Sequence, residues 1–132
     1  MLSAVPLLVI PLILYNLGLV LEPGSTGLWE GALFSVSMMS GGIWTMTLGD
    51  ALIVLTLVFL FVEIMKSTRT SNVSIIDHLL STLVFVAYLV EFLLVHGAAH
   101  QVFFILMVIT LIDVLAGFSV SLRAAGRDVN FG

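Results

Sequence analysis

The chain has 132 residues, 61% of them hydrophobic and 9% charged, with a mean hydropathy of +1.27. Soluble domains are about 45–50% apolar and about 25% charged, and so short a chain has too little interior to hide the excess from water. Four basic residues stand against eight acidic ones, which leaves no basic face for a nucleic-acid backbone, and the lack of cysteine removes disulfides and thiolate chemistry. A soluble enzyme, a nucleic-acid binder and a disordered tail are excluded; an integral membrane protein, with the lipid bilayer as its first partner, remains.

A helix needs about 20 mostly apolar residues to cross the hydrocarbon core, and four stretches meet this: residues 4–21, 49–65, 75–95 and 101–122. The first has no positive residue before its apolar run and no Ala-x-Ala site after it, so it reads as a retained span rather than a leader. Pro6 and Pro11 predict a kink in it.

Between the first two spans comes a turn-rich run, EPGSTG, and then a segment with period-two alternation. Phe34, Val36 and Met38 point one way and Ser35 and Ser37 the other; Trp44, Met46 and Leu48 oppose Thr45 and Thr47. Alternation on both sides of Ser40-Gly41-Gly42 predicts a β-hairpin over about 33–48. A three-residue loop at 40–42 pairs Met38 with Trp44, Val36 with Met46 and Phe34 with Leu48. A lone hairpin is marginal in water, so its apolar face is expected to rest as a lid on the helix ends, or else to form a docking surface. Phe34, Val36, Met38, Trp44 and Met46 are the candidates for that surface, and Trp29 and Trp44 suit the headgroup layer.

The second span ends in Glu63 and Lys66, with Arg69 in the polar linker that follows. The third opens with Asp77 and His78. Lys66, Arg69, Arg123 and Arg127 all fall on one side if both termini are cytoplasmic, the side on which basic residues collect. Glu63, Asp77, Lys66 and Arg69 are expected to pair at the cytoplasmic interface, with long side chains reaching toward water.

Glu91 and Asp113 lie deeper, and charges there are candidates for function by default. Asp77, Ser81, Tyr88 and Glu91 share one stripe of the third span, and Asn16 of the first span lies at the depth of Glu91. Asp113 falls near the middle of the fourth span, with no basic residue in the helices to pair with it. It is expected to face the bundle interior and to be at least partly protonated at neutral pH. Asp113, Glu91, Tyr88 and Asn16 are the candidate intramembrane polar or relay residues. Gly117-x-x-x-Ser121 offers a close helix contact, to span two or to another subunit. His96 and His100 have the spacing of two ligands on one face but no third ligand nearby, so no metal is expected. No nucleotide loop or nucleophile motif is present, so neither a cofactor nor an enzymatic activity is expected.

The layout, with four spans, inner termini and an outer strand-bearing segment containing Gly27-Leu28-Trp29, is similar to that of claudin-type proteins. The cysteine pair that follows the tripeptide in that family is missing, so no barrier role is implied. The run LGDALIVLTLVFLFVEIMKSTRT, followed by SIIDHLLS, LVEFLLV and LIDVLAGFSVSLRAA, resembles an uncharacterised family of small bacterial inner-membrane proteins. The expected fold class is an all-α integral membrane protein: one domain over residues 1–132, a four-transmembrane-helix bundle with a small extracytoplasmic β-hairpin between helices 1 and 2. The expected function is that of a small non-enzymatic subunit, structural or accessory, working with other membrane proteins or with itself in the inner membrane. The second reading is a small channel or transporter subunit that moves protons, cations or a small solute through the intramembrane carboxylates.

Overall fold

The computed structural model describes residues 5–23, 27–67 and 72–131, without the side chains of 72–74, 121 and 123–131. Arg69 lies outside the described residues, as do the side chains of Ser121, Arg123 and Arg127. The chain runs α1 (Val9–Leu21), β1 (Ala32–Ser37), β2 (Ile43–Thr47), α2 (Leu48–Lys66), α3 (Asn72–Leu94) and α4 (Gln101–Phe131), with short 3-10 turns at Gly27–Glu30 and His96–Ala98.

Three stretches are helical, long and apolar enough to cross a membrane: Leu48–Lys66, Ile75–Leu94 and Gln101–Val120. The first expected span is not among them. Helix α1 has 13 residues, about 20 Å at about 1.5 Å per residue, against a core of about 30 Å. The prolines account for the difference. Pro11 sits in the first turn of α1, where its missing N–H costs nothing and its ring meets no preceding turn. Residues 5–8 stay non-helical, so a helix start replaces the expected kink.

The exposed surface of these helices is apolar, with Leu79, Leu83, Leu93, Leu94, Phe61 and Phe118 all more than half exposed, whereas Thr56, Glu63, Ser67, Asp77, Ser81, Thr110 and Asp113 are buried. Polar groups inside and leucines outside is the arrangement that a hydrocarbon solvent favours. The apolar core lies higher in the bundle. Tyr15 stacks on Trp29 with centroids 5.1 Å apart, and Phe103 meets Tyr15 at 5.0 Å and Tyr88 at 5.3 Å. Tyr15, Tyr88, Phe103 and Leu106 are fully buried.

The hairpin is present with a different register. Val36 pairs with Trp44, Ser35 with Thr45 and Phe34 with Met46, with an irregularity between Ala32 and Phe34. The loop is Met39-Ser40-Gly41 rather than 40–42: the Met38 N–H donates to the Gly42 carbonyl at 2.7 Å and the Gly41 N–H to the Met38 carbonyl at 3.0 Å. Moving the loop by one residue shifts the partners by two, so both faces keep their composition. The geometry needs one glycine only. Gly41 adopts φ +91°, the left-handed position that closes such loops.

Gly41→Val is therefore expected to weaken the hairpin by about 1–3 kcal/mol through backbone strain. Gly42→Val, with only the Ser40 hydroxyl 3.5 Å from its would-be Cβ, should be nearly neutral. Amide hydrogen exchange at Met38 and Trp44 checks this; equal acceleration by both substitutions would refute the turn assignment.

β2 passes directly into α2 through a capping box. Thr47 Oγ1 accepts from the Asp50 N–H and an Asp50 carboxylate oxygen from the Thr47 N–H, both at 3.1 Å. Two of the helix's orphan donors are satisfied, and the strand ends where the helix begins.

Candidate functional site

Three helices and the segment before α1 meet in a buried polar cluster. Glu63, on the last turns of α2, is 1% exposed. Its Oε1 accepts from the Leu7 N–H at 2.8 Å and from Lys66 Nζ at 3.0 Å. Lys66 Nζ also donates to the Val5 carbonyl at 2.9 Å and stands 3.6 Å from Asp77 Oδ1, within ion-pair range but beyond a hydrogen bond. Asp113 of α4 is buried, bonds the Ser81 hydroxyl, and lies in the electrostatic field of Glu63, Asp77 and Lys66.

The cluster explains the non-helical start of the chain. Buried backbone needs partners for its N–H and C=O groups. Glu63 takes the Leu7 N–H, Lys66 serves Val5, and the Tyr88 hydroxyl donates to the Leu8 carbonyl at 2.9 Å.

Glu63, Asp77 and Lys66 thus pair as expected, but not as a solvated rim. Glu63 and Asp77 are buried, and Lys66 is 11% exposed at its side chain. Asp113 joins this group rather than Glu91. Glu91 lies about 21 Å along α3 from Asp77, at about 1.5 Å rise per residue, where its Oε1 accepts from Asn16 Nδ2 at 3.1 Å. Nearby, the Tyr15 hydroxyl donates to the Gly97 carbonyl at 2.8 Å. The Tyr15–Tyr88–Phe103 layer stands between the two polar groups. The four relay candidates are divided: Asn16 with Glu91 on one side, Asp113 on the other, and Tyr88 spent on the Leu8 carbonyl.

Gly117 packs across α3 rather than on α2 alone. A Cβ there would lie 2.9 Å from the His78 ring and 3.5 Å from Ser67. Among the described residues no group of three His, Cys, Asp or Glu could hold a metal. His100 instead caps α4, its Nδ1 accepting from the Val102 N–H at 3.1 Å, which leaves Nε2 to meet Glu30 Oε1 at 3.3 Å.

Trp29 is a correction. Expected in the headgroup layer, it is buried against Tyr15 in a notch between two glycines. A Cβ on Gly18 would lie 2.5 Å from the indole, and one on Gly49 2.8 Å from the Trp29 carbonyl oxygen. Neither glycine is singled out by any local sequence signal. Beside the indole, α1 and α2 leave an apolar groove of about 390 Å³ lined by Leu14, Leu17, Leu52 and Leu55 among others.

The hairpin does not rest on the bundle. All six residues of β1 and the first three of β2 are exposed. Phe34, Val36, Met38 and Trp44 are each 42–47% exposed, Ile43 74% and Met39 108%, while Met46 at the base is half-buried. Phe34 meets Trp44 edge-on at 5.5 Å on one face, and Ser35 bonds Thr45 at 2.7 Å on the other. The lid expectation is not met, because the apolar face of the hairpin is left exposed.

No protein-family model, curated protein or solved structure matches this chain.

Proposed function

We propose that this protein is a non-enzymatic membrane subunit that assembles with a second copy of itself by pairing of the outer hairpins. All four helices sit in the bacterial inner membrane, α1 together with residues 5–8 before it making the first crossing, and both termini are cytoplasmic. The observation that carries the reading is the uncovered hairpin. Residues 31–47 contain no charged side chain and no proline, whereas proteins that keep edge strands apart place lysine, proline or inward charges there. Among the described residues both edges are free, and one face is apolar. Two strands alone are marginal, while three or more with an apolar face are stable; two hairpins joined edge to edge make four.

The test is the particle mass in a mild detergent or lipid nanodisc. Wild type should hold two copies. A variant with Val36→Lys and Ile43→Lys should hold one, with the helical bundle's melting temperature unchanged. A wild-type particle with a single copy, or a lysine variant that stays paired, would contradict the reading.

A further inference from the structure

We propose that the groove between α1 and α2 binds one acyl chain of a membrane lipid. The proposal rests on the membrane placement given above and is independent of hairpin pairing. Leu14, Leu17 and Leu21 line the groove from α1, and Leu48, Leu52 and Leu55 line it from α2. Steps of three and four residues follow one face of a helix, so each wall is a straight stripe. From first leucine to last it rises seven residues, about 10 Å at about 1.5 Å per residue.

Trp29 holds the walls apart. Its indole lies against Gly18 of α1 and its backbone against Gly49 of α2, so the residue stands between the two helices. Ala51, in the α2 stripe, adds only a methyl group to the gap. The space left is about 390 Å³, within the range of small-ligand sites, about 300–1,000 Å³.

Shape, polarity and access identify the occupant. A space walled by leucines stays free of water, and unfilled it forfeits dispersion contacts. A slot that runs along the helix axes fits an extended hydrocarbon chain, and its lining has no charged side chain to hold a polar ligand. Leu17 and Leu21 on its rim are more than half exposed, so the groove opens on the apolar exterior of the bundle, as Leu79 and Leu83 of α3 do. A chain enters it directly from the surrounding bilayer. There it touches two helices and an indole at once, more contact than an exposed face such as that of Leu79 and Leu83 offers, and this keeps it bound when the bilayer is removed.

Photocross-linking with a defined lipid tests the site. The full chain is reconstituted with a phosphatidylcholine that carries a diazirine in one acyl chain, re-extracted in mild detergent, irradiated and weighed by native mass spectrometry. Wild type should carry one lipid per chain, cross-linked to peptides containing Leu14–Leu21 and Leu48–Leu55. Ala51→Phe, which plugs the groove, should lose that lipid, and Leu83→Phe should keep it. Wild type without lipid, cross-links at Leu79 and Leu83 instead of the groove, undiminished labelling of Ala51→Phe or loss of the lipid in Leu83→Phe would overturn the proposal. If Ala51→Phe does not fold, the wild-type mass and cross-link positions decide alone. The same spectra count chains per particle, so lipid-free pairs would contradict the acyl-chain site and leave pairing standing, while lipid-loaded single chains would do the reverse.

Discussion

Replacing Lys66 with Met is expected to destabilise the bundle by about 3–5 kcal/mol, the range for removing one partner of a buried ion pair. Lys66 is the cation within 3.0 Å of Glu63 and 3.6 Å of Asp77, and it also satisfies the Val5 carbonyl. Methionine fills much of the same volume, so the loss is chiefly electrostatic. Adding Glu63→Gln should recover part of it, because the second change removes a charge that the first left stranded; the non-additivity reports the pair directly. Thermal unfolding in detergent measures both effects. Equal stability of wild type and Lys66→Met would show that the cluster is not held by this pair.

Trp29→Ala is expected to cost a comparable about 3–5 kcal/mol, the range for truncating a large buried aromatic. The indole stacks on Tyr15 at 5.1 Å and fills the notch at Gly18, so its loss opens a cavity next to an apolar groove that already exists. Trp29→Phe should cost less, since the indole N–H has no hydrogen-bond partner among the described residues and no bond is forfeited. Gly18→Val approaches the same contact from the other side. Its Cβ would collide with a rigid ring, and overpacking of this kind costs about 1–3 kcal/mol. With only two tryptophans in the chain, a Trp44→Phe background lets fluorescence follow Trp29 alone. Gly18→Val should shift its emission to the red, as displacement exposes the indole. An unchanged spectrum and melting temperature would mean that Trp29 does not occupy the notch.

The helices α2, α3 and α4 were legible because lipid solvent writes itself into sequence as long apolar runs. The hairpin faces were legible because the strand period is two. Its register was not: two glycines in succession allow two loops, and only the backbone geometry decides that Gly41 takes the left-handed position. The extent of α1 was misread because hydropathy ignores backbone chemistry. Residues 4–21 are apolar enough to span, yet Pro6 and Pro11 set where a helix begins. The buried polar cluster was legible in pieces. Asp113 stands out as an intramembrane acid and Asp77 as an interfacial one, but which helix faces meet is a tertiary fact with no trace in spacing along one helix. Glu63 in particular reads as an interfacial residue when its depth is judged from α2 alone; the segment before α1 folds over it and seals it. Trp29 was misplaced for a similar reason. Its burial depends on two glycines from different helices, and neither carries a signal until they are brought together.

Pairing through the hairpin is tested most directly by cross-linking in intact membranes. The chain has no cysteine, so single cysteines can be placed at Val36 and Ile43 on the two strand edges, with Leu93, exposed at the C-terminal end of α3, as a control. Mild oxidation should convert chains carrying Val36→Cys or Ile43→Cys into disulfide-linked pairs of twice the chain mass, while Leu93→Cys stays single. Single chains at all three positions, or equal cross-linking at Leu93, would contradict hairpin pairing.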